Sequence, residues 1–251
     1  MKVQRIHRIE AYVRQKGAAS IKELCAEFDV SKNTIRRDLK HLLETGDFEK
    51  VYGGIALKED TLISFENRQV SQQSQKKLIS KKAASLIDDG DLIFVDSGTT
   101  TKYLIDYVPK EYQLTVVTNN LDVINVCSER ENIELIIVGS KFKSATRSFI
   151  EFNNHDIIKD LNIRKAFMAA TGISIQNGLT NSDMLETMIK KSICQKSDLI
   201  YLLADESKFD RSTLITYSPL NHLDALVSGG EVPKKYKTYL KENDIDLHLA
   251  Y

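Results

Sequence analysis

At 251 residues, 42% hydrophobic and 28% charged, the chain has room for one large domain or for a small one plus a medium one, with an ordinary globular composition. Its 35 basic and 35 acidic side chains cancel, yet residues 1–57 hold eleven Lys/Arg against eight Asp/Glu, a mildly basic head that fits local DNA contact. The charged N-terminus is no signal peptide, no apolar run reaches membrane-span length, and Cys25, Cys127 and Cys194 lack disulfide or metal spacing, so the expectation is a cytoplasmic protein with reduced cysteines, no metal, no cofactor and no membrane partner.

Helical periodicity governs the first 57 residues. Val3, Ile6, Ile9 and Val13 mark one face of a helix that ends at Gly17. Ser20 precedes a second helix, with Ile21, Leu24 and Phe28 inward. Ser31 is placed to cap a third, KNTIRRDLKHLLETG, with Ile35, Leu39 and Leu42 inward and Gly46 at its end. Two short β-like runs follow, with Gly53-Gly54 or Asp47 as turn points. Three helices and a hairpin predict a winged helix-turn-helix over residues 1–57. Residues 58–75 are polar and aperiodic and read as a linker, with an ordered segment around Phe65.

From residue 76 to 251, short runs apolar on both faces alternate with helical stretches. The runs are 92–96, 114–119, 134–139, 165–172, 199–205 and 224–229; the helices are about 76–88, 99–107, 121–130, 155–162, 182–196 and 233–243. This alternation predicts an α/β domain with an open, mostly parallel sheet.

In the third helix the inward stripe leaves Lys32, Asn33, Arg36 and Arg37 on the opposite side near the N-terminus. That is where a recognition helix meets base edges, and Arg and Asn pair with guanine and adenine. Ser31 and Thr34 suit phosphate contacts, as do Lys50 and Tyr52 in the hairpin. The alternative is a charged, solvated helix face.

In the second domain the first strand ends at Asp96, Gly98 allows a tight turn, and Ser97, Thr99, Thr100 and Thr101 offer hydroxyls and amides as an anion cradle; simple Ser/Thr capping is the alternative. Other strand ends carry Thr118, Asn119 and Asn120, then Thr171, Gly172, Thr180 and Asn181, then Asp205 and Lys208. Open α/β sheets bind ligands at such carboxyl ends. Arg147 adds a forked donor suited to an acidic sugar derivative.

The stretch from Val30 to Leu39, with the Tyr52-Gly53-Gly54 hairpin, resembles the DNA-binding signature of the DeoR family of sugar-catabolism repressors. FVDSGTTTKYL (94–104) and Asp205-Glu206-Ser207-Lys208-Phe209 resemble its effector-site motifs, and the likeness covers nearly the whole chain. Glu151 stands where the family usually has Gly. The resemblance implies an effector domain of the sugar-phosphate isomerase fold, operator DNA as one partner and a phosphorylated sugar or sugar-acid inducer as the other. VSKNTIRRD, FENR, DSGTTTK, GLTNSD and LLADESKF resemble the members that govern myo-inositol catabolism in Gram-positive bacteria. Palindromic or repeated half-sites imply a homodimer or homotetramer. Asp38 is expected to pair locally with Arg or Lys.

Two rivals stand beside this reading. An isomerase would need a carboxylate base, and Asp96, Asp183, Glu186 and Asp205 are available, but no two have a readable acid/base spacing. A ligand-independent DNA-binding protein would have no use for four polar strand ends.

Overall fold

The structure is a computed structural model that describes residues 2–16, 18–44, 48–51, 53–57, 65–150, 158 and 160–251. Gly17, Gly46, Asp47, Tyr52, Glu151, and residues 155–157 and 159 of the helix expected at 155–162 lie outside the described residues. The chain divides into two compact units, Met1–Ser64 and Phe65–Tyr251.

The first unit runs α1 (Lys2–Lys16), β1 (Ala18–Ser20), α2 (Ile21–Phe28), α3 (Lys32–Glu44), β2 (Phe48–Val51), β3 (Gly54–Leu57). Ser20 starts α2 through a capping box: its hydroxyl accepts from the Glu23 amide at 3.1 Å, and the Glu23 carboxylate accepts from the Ser20 amide at 3.4 Å. Ser31 does the same service for α3, accepting from the Thr34 amide at 3.3 Å. Ile9, Val13, Leu24, Ile35, Leu39, Leu42, Phe48 and Ile55 close into one core. Asp38 is buried, but its partner comes from another helix: Arg5 Nε of α1 donates at 2.7 Å, where a local pair was expected. The hairpin turns at Gly53, whose φ of +78° favours glycine. The strand β1, not expected from the sequence, pairs with β3 and makes a three-stranded sheet in the order β1-β3-β2.

The second unit begins with α4 (Phe65–Val70) and α5 (Gln73–Ala84), so helices occupy residues 65–70 and 73–75 of the segment expected as a linker. Then come β4 (Leu92–Val95), β5 (Leu114–Thr118), α6 (Leu121–Cys127), β6 (Ile133–Ile137), a hairpin of β7 (Lys141–Lys143) and β8 (Ser148–Ile150), and β9 (Ile163–Met168). The rest is β10 (Gly172–Ser174), β11 (Gly178–Asn181), α7 (Met184–Lys196), β12 (Ser197–Asp205), β13 (Ile215–Ser218), β14 (Ala225–Gly229), α8 (Lys234–Glu242) and β15 (Asp246–Ala250). The last strand was not expected. The helix expected at 99–107 is instead two 3-10 turns, Thr101–Tyr103 and Ile105–Tyr107.

Seven strands form one parallel sheet in the order β15-β14-β12-β9-β4-β5-β6. Side chains alternate between two buried layers. Phe94 shares one buried layer with Ile189 and Ile193 of α7 and Tyr236 and Leu240 of α8. Its neighbours Ile93 and Val95 face Ile79 and Ala83 of α5 and Val123 and Cys127 of α6. The three cysteines are free, and burial pushes the Cys127 and Cys194 thiols up to about 12, which keeps them unreactive. No helix among the described residues is long and apolar enough to cross a membrane. From β4 the chain builds outward through β5 and β6, then returns to the other side of β4 for β9, β12, β14 and β15. The crevice between the carboxyl ends of β4 and β9 is therefore the point where strand order reverses, the standard ligand position in open α/β sheets.

Ile35 is fully buried in the core that holds α3. Ile35→Ala is expected to cost the first unit about 2–5 kcal/mol and to weaken DNA binding with it. Denaturant melts followed beside gel shifts check this; an unchanged melt means the core is not packed as described.

Candidate functional site

On the first unit, Ser31, Lys32, Asn33, Arg36, Arg37 and Lys50 are exposed and Thr34 half-buried. The Ser31 and Thr34 hydroxyls share a hydrogen bond of 2.9 Å. Residues 33 and 37, and 32, 36 and 40, repeat every four positions, so they share one side of α3. Arg36, Lys40, Lys50, Gly53 and Gly54 line a groove beside that helix; Lys40 was not singled out from the sequence. Tyr52 lies outside the described residues. The resulting surface offers an exposed helix N-terminus with Arg and Asn donors and a hairpin that carries Lys50, a shape that fits a major groove.

On the second unit, Asp96 follows β4 and is fully buried. One carboxylate oxygen accepts from the Ser97 amide at 2.8 Å; the other accepts from the Ala169 amide, beyond β9, at 2.8 Å and from Lys190 Nζ of α7. Its carbonyl accepts from Thr101 Oγ1 at 2.7 Å and Asn120 Nδ2 at 3.3 Å. Thr118 Oγ1 donates to the Val95 carbonyl at 2.6 Å, and the Asn120 side chain caps α6. Asp96, Thr101, Thr118 and Asn120, expected as ligand contacts, thus face one another and fix the loop. Asp205 likewise caps its own turn, accepting from the Ser207 amide at 3.0 Å. Gly172 sits inside β10, where a Cβ would come within 2.6 Å of the Arg211 carbonyl.

Ser97, Gly98, Thr99, Thr100 and Thr171 do meet at one cavity. The Gly98, Thr99 and Thr100 amides make no hydrogen bond with any described residue. Gly98 is needed there: a Cβ would come within 2.6 Å of Ala169 Cβ. Asn119 reaches the rim, donating to the Phe149 carbonyl at 3.2 Å and to Ser97 Oγ at 3.4 Å, while its buried Oδ1 has no partner. Arg147 is not part of the cavity. It adopts φ +50°, and its guanidinium bonds Asp122 Oδ1 at 2.6 and 3.0 Å; the neighbouring Thr146 lines the cavity instead.

Lys208 and Arg68 complete the wall. Neither forms an ion pair with a described residue, and the buried Arg68 Nε has no hydrogen-bond partner. Burial pushes the Lys208 ammonium down to about 8; Asp205 opposes this, while Arg68, Lys76 and Arg211 reinforce it. Burial also lowers Arg68, with Glu186 acting against it. Lys76, itself buried, donates to the Ser71 carbonyl at 2.7 Å and to the Arg68 carbonyl, and so ties the end of α4 to α5. Two unpaired cations facing three free amides make an anion site by charge and by hydrogen bonding. The open space among these side chains is about 20 Å³, room for one water.

Arg68, Glu186 and Lys190 escaped the sequence reading as ligand-site residues. Arg68 lies on a polar, aperiodic six-residue helix with no signal beyond FENR. Glu186 and Lys190 are four apart on the buried side of α7, and polar residues at that spacing beside Ile189 and Ile193 were the available cue.

A winged helix-turn-helix head together with an α/β domain whose switch point gathers buried cations and free amides has the make-up of a ligand-responsive regulator. Residues 5–61 match the DeoR-like helix-turn-helix domain and residues 71–230 the DeoR C terminal sensor domain, and the chain belongs to the DeoR family. It is 47% identical over 251 residues, all of both chains, to the HTH-type transcriptional regulator IolR of Bacillus subtilis (strain 168). It is 29% identical over 248 residues, 98% of each chain, to the glycerol-3-phosphate regulon repressor of Escherichia coli (strain K12). The L-fucose operon activator of Haemophilus influenzae is 29% identical over 236 residues, 93% of this chain and 94% of its own. Among solved structures, ribose 5-phosphate isomerase A of Methanocaldococcus jannaschii aligns over 55% of each chain at 17% identity with a TM-score of 0.42. The sequence relatives are transcription regulators, which disfavours the isomerase alternative.

The buried pair Lys190–Asp96 sits 3% and 0% exposed. Lys190→Met is expected to cost about 3–5 kcal/mol by stranding the carboxylate, and adding Asp96→Asn is expected to restore part of it. Chemical denaturation of both variants checks this; a Lys190→Met protein as stable as wild type would contradict the pairing.

Proposed function

We propose that the chain represses a carbohydrate-catabolic operon, that of myo-inositol, and leaves its operator when a phosphorylated sugar or sugar acid enters the cavity. The observation that carries this is the pair of cations without an ion-pair partner among the described residues, Lys208 and Arg68, set against the free amides of Gly98–Thr100. A phosphate monoester supplies the missing charge and acceptors. The inositol assignment rests on the sequence resemblance together with the 47% identity to IolR. The glycerol-3-phosphate regulon repressor is named for the regulon of a phosphorylated compound, which is in keeping with this reading.

Ser31, Lys32, Asn33, Thr34, Arg36, Arg37, Lys50 and Tyr52 are the proposed operator contacts. Ser97, Gly98, Thr99, Thr100, Thr171, Lys208 and Arg68 are the proposed effector contacts, with Asp96, Thr101, Thr118 and Asn120 as their scaffold. A homodimer or homotetramer on repeated or palindromic half-sites is part of the same proposal. A cavity of about 20 Å³ is too small for a sugar phosphate. Binding therefore requires side chains to move, and a ligand that selects the opened form shifts the equilibrium between forms of different operator affinity.

Arg36→Ala and Arg37→Ala are each expected to weaken operator binding by about 1–3 kcal/mol without altering the melt. Unchanged gel-shift affinity in both removes the outer side of α3 from the interface.

Lys208→Met is expected to abolish stabilisation by a phosphate monoester. With Lys208 at about 8, wild-type affinity for the monoester falls as pH rises through 8, because the cation is lost while the ligand stays dianionic. Ligand-free stability moves oppositely: between 8 and the ordinary lysine value near 10.4 the unfolded chain holds more protons, so this residue makes stability rise with pH. Thermal-shift series at several pH values read both trends. Equal stabilisation of Lys208→Met and wild type by the ligand excludes Lys208 from the site.

A further inference from the structure

The cavity wall also carries a carboxylate, which an anion site alone does not explain. Glu186, in the first turn of α7, is 5% exposed and lines the cavity beside Arg68 and Lys208. Its Oε1 accepts from Ser148 Oγ of β8 at 2.7 Å and its Oε2 from Asn181 Nδ2 of β11 at 3.1 Å. Asn181 is itself held, its Oδ1 accepting from Thr171 Oγ1 at 2.8 Å. Both donors to Glu186 are neutral, and it forms no direct ion pair with a described residue, Arg68 acting on it only through space. Burying a carboxylate against neutral donors is costly, so a purely structural position would be filled more cheaply by a neutral side chain.

An ionised carboxylate only accepts, and it has about four acceptor sites. Two of the Glu186 sites are taken, which leaves capacity directed at whatever fills the cavity. A phosphate group would be repelled there; a hydroxyl would be bound. We propose that Glu186 is the specificity-determining residue of the effector site, accepting a hydrogen bond from a hydroxyl of the ligand remote from its phosphate. This deepens the reading of the cavity as an anion site and rests on it. The ligand class that follows is a phosphorylated polyhydroxy compound held at two ends. Its phosphate lies against Gly98–Thr100, Lys208 and Arg68, and its hydroxyl against Glu186, whose orientation Ser148 and Asn181 fix.

The test uses the full chain and calorimetric titration with two kinds of probe. One is inorganic phosphate. The other is a panel of ribose 5-phosphate, glucose 6-phosphate, 6-phosphogluconate and myo-inositol 1-phosphate. Wild type is expected to bind the tightest panel member about tenfold or more above inorganic phosphate, the worth of a hydrogen bond to a charged acceptor. Glu186→Gln, nearly the same shape, is expected to lose that advantage while holding inorganic phosphate at least as well as wild type. The proposal is overturned if Glu186→Gln retains the full advantage or if no panel member exceeds inorganic phosphate. Failure of wild type to bind phosphate and every panel member alike would instead remove the anion site itself.

Discussion

The buried ion pair between Asp96 and Lys190 holds the sensor unit's geometry together. Two carboxylate oxygens collect the amide after β4, the amide after β9 and the ammonium of α7, so three separate elements are locked at the crevice where strand order reverses. The pair is out of water, where the attraction is strong and an unpaired member would be expensive. Gly98–Thr100 can then present free backbone amides because the residues around them, Thr101, Thr118 and Asn120, spend their polar groups on the frame.

The opposite wall follows a different rule. Lys208 and Arg68 are sheltered from solvent without a direct ion pair, Asp205 and Glu186 only partly offset their burial, and Lys76 adds a third positive charge behind them. Such a cluster opposes folding and persists where a ligand makes use of it. Lys76 also holds the chain at Arg68 and Ser71, so the helix that follows residues 58–64 contributes a side chain to the cavity. A ligand that grips Arg68 therefore acts on the first helix after the DNA-binding unit. This is a continuous covalent route for coupling, and it gives linkage between the two units a concrete starting point.

The head was legible because its signals are local. A 3.6-residue apolar period, Ser20 and Ser31 as caps, and a Gly-Gly turn specify α2, α3 and the hairpin within a few residues. The short β1 strand was not, since only its pairing with β3 makes it one. The parallel sheet was legible from its doubly apolar runs, although β15, with Asp246 and His248 interrupting it, did not resemble them. The cradle loop was visible as Ser, Gly and Thr after a strand. Which polar residues face the ligand was not, because strand-end position does not say whether a side chain turns to the cavity or to its own backbone. Asp96 and Asp205 turn to backbone and neighbours, and Arg147 turns to Asp122. Glu186, Lys190 and Arg68 reach the cavity from helices, where tertiary packing alone decides which side faces it.

The central claim is that occupancy of the sensor cavity and hold on the operator are thermodynamically linked. The most direct measurement is the affinity of the full chain for its operator, by fluorescence anisotropy, with and without the most stabilising sugar phosphate, and of that compound with and without operator. The compound is expected to weaken operator binding roughly 5–150-fold and the operator to weaken compound binding by the same factor. A compound that binds the sensor equally well in both states, or that tightens the operator complex, would contradict the claim.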